Sequence, residues 1–301
     1  MRPAFLALFL LTAPAAAQEQ EQEHQPMRPA TAEEQKARAA VTIADYRFDD
    51  LLWENDRIAY RIYGRALEAA EPPSSSGIDA WGKRVRWPFM DRQLRTGDQH
   101  SDHGEGIDFY NVGTGRGVGG LGIWHDNKLW TSRNYVRPRI LRSGPDVADF
   151  TVDYDPWPVD VARTVRETRR FSLPAETNFT RMTSTIASSS DAELIVGIGI
   201  SKRPVGGGKL GEVKKDKAAA RLVWWGPADG EKGRMAAAVI VDPTAFAGFA
   251  EDADNYLILV RVWPGQPFVY YSGAAWDRGG DFATQGNWNS YVDAQHPDFR
   301  P

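Results

Sequence analysis

Apolar and polar residues alternate along much of this chain with a period of two. In Arg57-Ile58-Ala59-Tyr60-Arg61-Ile62-Tyr63, and again in Asp149-Phe150-Thr151-Val152-Asp153-Tyr154, side chains at i, i+2 and i+4 share a character their neighbours lack. An extended strand sends successive side chains to opposite faces, so this period predicts half-buried β-strands. Residues 178–184, 194–201, 221–225, 235–241, 256–263 and 268–276 read the same way. They are rich in Val, Ile, Thr and aromatics and are separated by Gly, Pro, Asn and Asp. Helical periodicity is scarce after Ala44. The expected fold is all-β, a large antiparallel β-sandwich. Residues 206–217, opening on Gly206-Gly207-Gly208, read as a polar loop. No stretch marks a second domain, and no internal repeat is visible.

The amino-terminal end breaks the pattern. Arg2, the apolar run 5–11 and the small residues Ala15-Ala16-Ala17 read as a cleaved export signal over residues 1–17. The apolar run is too short to span a membrane, and no cysteine stands at the cleavage site for a lipid anchor. A periplasmic or secreted protein without a membrane anchor is expected. A Glu/Gln-rich leader follows over residues 18–40, expected to be disordered or partly helical, and residues 41–301 are read as one catalytic sandwich domain. The chain has no cysteine, so burial of a large core must stabilise it without disulfides.

Charge and composition narrow the partner. The net charge of −4 argues against nucleic acid. Residues 83–142, however, carry eleven Lys/Arg against six Asp/Glu, a local excess that suits an anionic ligand as well as it suits a solvated face. Eleven tryptophans and ten tyrosines are many for a core of this size. Trp81, Trp124, Trp130, Trp276 and Trp288 sit beside glycine, histidine or Asp/Asn, where an aromatic lining a sugar cleft would stand. For any one of them, core packing is the commoner role.

Three of the five histidines fall in this basic stretch. His100 and His103 stand among Asp102, Glu105, Asp108 and Tyr110, and His125 follows. Histidine exchanges protons near neutral pH and also ligates metals. If a divalent cation such as Zn or Mn is bound, His100, His103 and Glu105 are the candidate ligands, though no compact metalloenzyme motif accompanies them. Acid–base chemistry centred on His103 is the stronger reading. Gly117-Val118-Gly119-Gly120-Leu121-Gly122 matches a dinucleotide fingerprint, but residues 123–130 read as a strand and hairpin, not as the helix such a site needs. The glycines instead let the backbone pass close to something else.

Leu52-Trp53-Glu54-Asn55-Asp56-Arg57, Trp81-Gly82-Lys83-Arg84, the run from Asp102 to Tyr110, Gly122-Ile123-Trp124, Ser272-Gly273-Ala274-Ala275-Trp276-Asp277 and Gly280-Asp281-Phe282 together resemble a secreted bacterial family. It is catalogued as a domain of unknown function and found in polysaccharide-utilisation gene clusters. The resemblance extends to an oligosaccharide dehydratase of ulvan breakdown. It implies a supersandwich-like fold, as in galactose-mutarotase-like and polysaccharide-lyase domains, and loss of water from a non-reducing-end uronic acid to leave a 4,5-unsaturated sugar. That chemistry needs a base for the proton beside the carboxylate, a neutralising grip on the carboxylate, and an acid for the departing hydroxyl. His103 or His125 is the expected base, with Tyr110 or the other histidine as acid. Lys83, Arg84 or Arg137 would hold the carboxylate. Trp81, Trp124 or Trp276 would stack on the sugar, and Glu105 and Asp108 would orient an imidazole or bind substrate. Two other classes remain open. A glycoside hydrolase would use Glu105 with Asp108, Asp277 or Asp281, and a non-catalytic carbohydrate-binding protein would need only the tryptophans. The expected partner is an acidic oligosaccharide.

Overall fold

A computed structural model describes residues 24–203 and 205–301; the expected export signal and the first part of the leader lie outside the described residues. Strands β1 (Ala39–Ala44), β2 (Asp50–Asn55), β3 (Ala59–Ile62), β4 (Asp79–Lys83) and β5 (Gly106–Ile107) form an antiparallel sheet in chain order. Helices α1 (Leu67–Ala70) and α2 (Met90–Leu94) interrupt it. β6 (Val118–His125) and β7 (Lys128–Trp130) make a hairpin whose turn residues Asp126 and Asn127 have φ of 52° and 56°. Two positive φ values in a two-residue loop match the right-handed twist of the strands that enter and leave it.

β8 (Arg137–Ser143), β9 (Val147–Pro158), β10 (Thr164–Pro174) and β11 (Phe179–Ser188) then run as a meander. The chain crosses to β12 (Leu194–Ser201), which pairs with β6. It returns through β13 (Glu212–Asp216), β14 (Arg221–Trp225) and β15 (Met235–Val241). β16 (Phe246–Glu251) and β17 (Asn255–Val262) extend the sheet of β12. β18 (Pro267–Trp276) lies between β15 and β11, completing an eight-stranded sheet in the order β13-β14-β15-β18-β11-β10-β9-β8. α3 (Gln285–Asp293) ends the ordered elements.

The eight-stranded sheet is the spine. One face carries both five-stranded sheets side by side: β1, β2 and β4 lie over β8, β9, β10 and β18, while β6, β12 and β17 lie over β14, β15 and β18. The shared core joins Trp53 and Tyr60 from the first sheet to Phe150 and Phe171 of the spine, whose rings stack at 4.7 Å. It continues through Ile198 and Ile258 to Trp224 and Val239. On the reverse face α3 packs Trp288 and Val292 onto Val223, Trp225, Ala236 and Ala238. The all-β antiparallel sandwich is therefore the architecture, with a third layer over part of one face.

Three local differences from the sequence reading have physical causes. Residues 212–216, within the stretch expected to be a loop, form edge strand β13; a short strand paired on one side, with Val213 alone packed on the core, needs no long apolar alternation. β10 carries charge on its buried face, because Arg169 Nε and Nη2 donate to the two Glu167 carboxylate oxygens at 2.7 Å each. α3 has little apolar stripe of its own and is held by Trp288 and Val292. The glycine-rich run does allow close backbone approach. Gly117 has φ of 60°, and a Cβ there would meet Ile78 O at 1.8 Å, so only glycine fits.

Candidate functional site

The loop after α2 is pinned by the helix. Gln93 Nε2 donates to Gln99 O at 2.9 Å and to Ser101 O at 3.2 Å, and Asp108 N donates back to Gln99 O at 3.0 Å. This closes residues 99–108 into a bracket that sets His100 over Asp108. His100 Nδ1 lies 3.0 Å from the Asp108 carbonyl oxygen, which only accepts, so Nδ1 carries a proton and Nε2 is the nitrogen able to act as acceptor. The Gln99 side-chain amide reaches that Nε2 at 3.2 Å. The His100 side chain is 63% exposed and therefore reachable.

His100 and Asp108 line a cavity of about 340 Å³ together with Arg47, Arg61, Tyr63 and Lys232. Its floor is a buried charge cluster contributed by β2, β3 and β4. Arg61 Nη2 donates to Asp79 Oδ2 and to Asp108 Oδ2 at 2.8 Å each, Nε donates to Asp79 Oδ2 at 3.1 Å, and Nη1 stands 3.5 Å from Asp50 Oδ2. One guanidinium thus faces three carboxylates. Burial pushes Asp50 up to about 6 against the pull of Arg61. Burial, reinforced by the neighbouring charge of Asp108, raises Asp79 well out of the usual carboxylate range. Tyr63 OH donates to Asp79 Oδ2 at 3.3 Å, and enclosure plus that carboxylate push its phenol well above its ordinary value. Among the described residues, Arg47 Nη1 and Arg61 Nη1 are buried donors without a hydrogen-bond acceptor. Arg47 is otherwise tied to Glu71 at 2.7 Å.

Only His100 and Asp108 of the sequence-nominated residues line this cavity. His103 turns its Nε2 to Asp98 O at 2.8 Å. Tyr110 is buried with its hydroxyl donating to Gly117 O at 3.1 Å and its ring edge-on to Trp224, a core role. His125 ends β6 in another sheet, 3.6 Å from Asp160. Lys83 is buried, paired with Glu54, donating to Trp87 O at 2.7 Å and set 4.8 Å over the Phe89 ring, so its ammonium is enclosed away from solvent. Arg84 spans Asp102 at 2.6 Å and the Trp276 ring at 4.5 Å. Glu105 pairs with Arg92. Arg137 stands on the exposed edge strand β8 beside Asp153 at 3.1 Å.

The tryptophans divide by burial. Trp81, Trp276 and Trp288 are enclosed in the core, whereas Trp124 and Trp130 are half-buried on the β6–β7 hairpin. Trp81 supports the cavity from behind, donating Nε1–H to Asp79 Oδ2 at 3.0 Å with Arg61 over its ring at 5.1 Å. Asp277 Oδ1 accepts from Arg234 N at 2.9 Å and Asp281 grips Arg86, so neither joins Asp108. His100, His103 and Glu105 face three different partners. Among the described residues no group of three or more His, Cys, Asp or Glu is arranged to hold a metal ion. The sequence reading passed over Arg61, Asp79, Asp50 and Tyr63. The available signal was a charge inside an apolar strand, as with Asp79 between Ile78 and Ala80.

The domain family described as "Domain of unknown function (DUF4861)" matches residues 11–300. The chain belongs to this family. A relative from Formosa agariphila, described as uncharacterized protein P7, is 29% identical over 262 residues, covering 82% of this chain. The chain spans 64% of that relative's length. The galactosidase domain of an α-galactosidase–sucrose kinase covers 78% of this chain and 42% of its own at 8% identity, with a TM-score of 0.38, too slight a likeness to bear on function. Among the described residues no helix is long and apolar enough to cross a membrane.

Proposed function

We propose that this DUF4861 protein is an elimination enzyme acting outside the cytoplasm. It binds a non-reducing-end uronic acid of an acidic oligosaccharide in the His100 cavity and removes water, or a sugar leaving group, to give a 4,5-unsaturated uronate. The observation that carries the reading is an exposed histidine, its Nδ1 proton held by the Asp108 carbonyl oxygen, lining the same cavity as two arginines and a lysine. The cavity volume lies within the range of roughly 300–1,000 Å³ usual for small-ligand sites.

In this reading Arg47, Arg61 and Lys232, which all line the cavity, supply the positive charge that faces the sugar carboxylate. Neutralising that carboxylate is what makes the C5 proton removable, because negative charge develops there as the proton leaves. His100 Nε2 takes the C5 proton, the C4–C5 double bond forms, and the C4–O bond breaks. Tyr63, kept protonated by its surroundings, donates to the departing oxygen. The balance is one substrate giving one unsaturated sugar and water; His100 then releases the proton it took to solvent, and solvent returns a proton to the Tyr63 phenolate. An ulvan-type oligosaccharide dehydratase is the specific activity to which the sequence resemblance points.

The test is mass spectrometry of uronate-terminated oligosaccharides after incubation with the protein. A loss of one water with new ultraviolet absorbance of the conjugated uronate is expected. Chain cleavage with gain of water would replace the reading with a glycoside hydrolase, and binding without any mass change would replace it with a carbohydrate-binding role.

A further inference from the structure

The reverse face of the eight-stranded sheet is covered over β14, β15, β18 and the Phe179 end of β11 by α3 and the residues that follow it. At the other end, the registers of β8, β9, β10 and β11 arrange the outward side chains into rows. One row reads Arg137, Asp153, Thr168 and Thr185 across the four strands, and the next reads Arg139, Thr151, Arg170 and Thr183. A bulge at Leu141 then returns Arg142 to register with Asp149. Beyond the first row, Asp155 and Pro156 of β9 oppose the single residue Arg166 of β10 in a second bulge. There the face sinks into a cavity of about 410 Å³, lined by Arg137, Asp153, Arg166, Thr168 and Thr185 among others.

Six arginines share this face with two aspartates; Arg181 is taken up by the Thr183 hydroxyl and the Arg300 carbonyl, and the aspartates are already engaged. Asp149 takes a two-pronged grip from Arg170 at 2.8 and 2.6 Å. Asp153 is held by Arg137 at 3.1 Å and by the Thr168 hydroxyl at 2.6 Å. Among the described residues Arg139, Arg142 and Arg166 have no carboxylate partner, and all three are exposed. Single arginines on an edge strand discourage sheet-to-sheet association. Arg166 is two strands in from the edge, beside a hollow, so that explanation does not cover it.

We infer that this arginine–threonine face is a second binding surface, for the chain of an anionic polysaccharide, separate from the His100 cavity. Planar guanidiniums match carboxylate and sulfate groups, and the interleaved threonine hydroxyls and aspartates match sugar hydroxyls. The two aspartates also decide against nucleic acid. A duplex presents one phosphate about every 1.7 Å, which fixed carboxylates in the path would repel, whereas a uronate polymer leaves neutral sugar surface between its charges. Side chains about 4.8 Å apart from strand to strand within each row give such a chain several equivalent registers. The choice of polymer rests on the acidic-sugar reading above, while the surface itself is independent of the cavity.

Affinity electrophoresis of the whole protein in gels containing polygalacturonate, neutral dextran or duplex DNA tests this. Retardation by polygalacturonate alone, weakening as salt rises, is expected. The double variant R139E/R166E should lose at least about fivefold in apparent affinity, with an unchanged melting temperature and unchanged turnover of a disaccharide substrate. The milder pair R139Q/R166Q should fall between. Equal retardation of the wild type and the charge-reversed protein overturns the inference, as does no retardation by polygalacturonate or stronger retardation by DNA. H100A separates this surface from the cavity, since it should keep polymer retardation whatever becomes of turnover.

Discussion

His100 Nδ1 donates to the carbonyl oxygen of Asp108 at 3.0 Å, while the Asp108 side chain accepts from Arg61 at 2.8 Å. One residue therefore fixes the tautomer of the exposed imidazole with its backbone and anchors the buried guanidinium with its carboxylate.

Replacing His100 by Ala should lower formation of the ultraviolet-absorbing product by roughly a hundred- to ten-thousand-fold, the usual contribution of a positioned general base. The melting temperature should hardly change, because the ring is mostly exposed. His103→Ala should stay within a few-fold of wild type. The opposite ranking of the two variants would move the base to His103.

Arg61→Met removes the guanidinium that contacts Asp50, Asp79 and Asp108 together. Breaking a buried charge cluster by deleting one sign typically costs about 3–5 kcal/mol. Urea unfolding at neutral pH should show a loss of that order, smaller in mild acid, where protonation relieves the repulsion among the carboxylates. An unchanged midpoint at neutral pH would mean that the carboxylates are already neutral there.

Asp50 gives a pH signature of its own. Its folded value of about 6 lies above the ordinary carboxylate value near 3.8, so folding favours the protonated form. This group's contribution is fully present below pH 3.8 and is lost as pH rises through 6. Asp50→Asn should therefore gain on wild type as pH rises from 4 to 7. A shift of about two pH units corresponds to at most about 3 kcal/mol. Thermal melts of both proteins at pH 4.5 and 7.5 measure the difference, and a gap independent of pH would show that Asp50 titrates normally.

The Lys83–Glu54 pair is structural in this fold. Burial lowers the lysine against the pull of Glu54, and Glu54 Oε1 accepts from the amides of Phe89 and Met90 at 2.9 Å each. Lys83→Met should cost about 3–5 kcal/mol by stranding the carboxylate. At a temperature where the variant is folded, its KM for an acidic substrate should match wild type. A raised KM with unchanged stability would return Lys83 to substrate binding.

Strands such as β12, β14 and β15 were legible from the sequence because their apolar content marks burial without reference to any partner. The site was less legible because its chemistry depends on pairing across the sheet. Arg61 occupies a polar position in a cleanly alternating strand, which ordinarily means solvent. The first sheet is covered on both faces, however, with Trp81, Phe89, Met90 and Leu94 forming a second small core on its far side. Alternation cannot then separate inside from outside. The same limit explains the histidines: His100 and His103 differ by one turn of loop, and the Gln93 hydrogen bonds from α2 set the path of that loop. Sequence proximity of His103 to Glu105 and Tyr110 implied a cluster, yet the three side chains end in a loop, an ion pair with Arg92 and the hydrophobic core.

The eight-stranded sheet ends in β8 on one side and β13 on the other. β8 carries Arg137, Pro138, Arg139 and Arg142 with its bulge at Leu141, and β13 carries Glu212, Lys214, Lys215 and Asp216. Charges on both outer strands, joined on β8 by a proline and a bulge, oppose strand-by-strand growth of the sheet. A broad sandwich with two open margins is thereby protected from polymerising through them, and copies of this chain that meet in solution must do so through faces or loops.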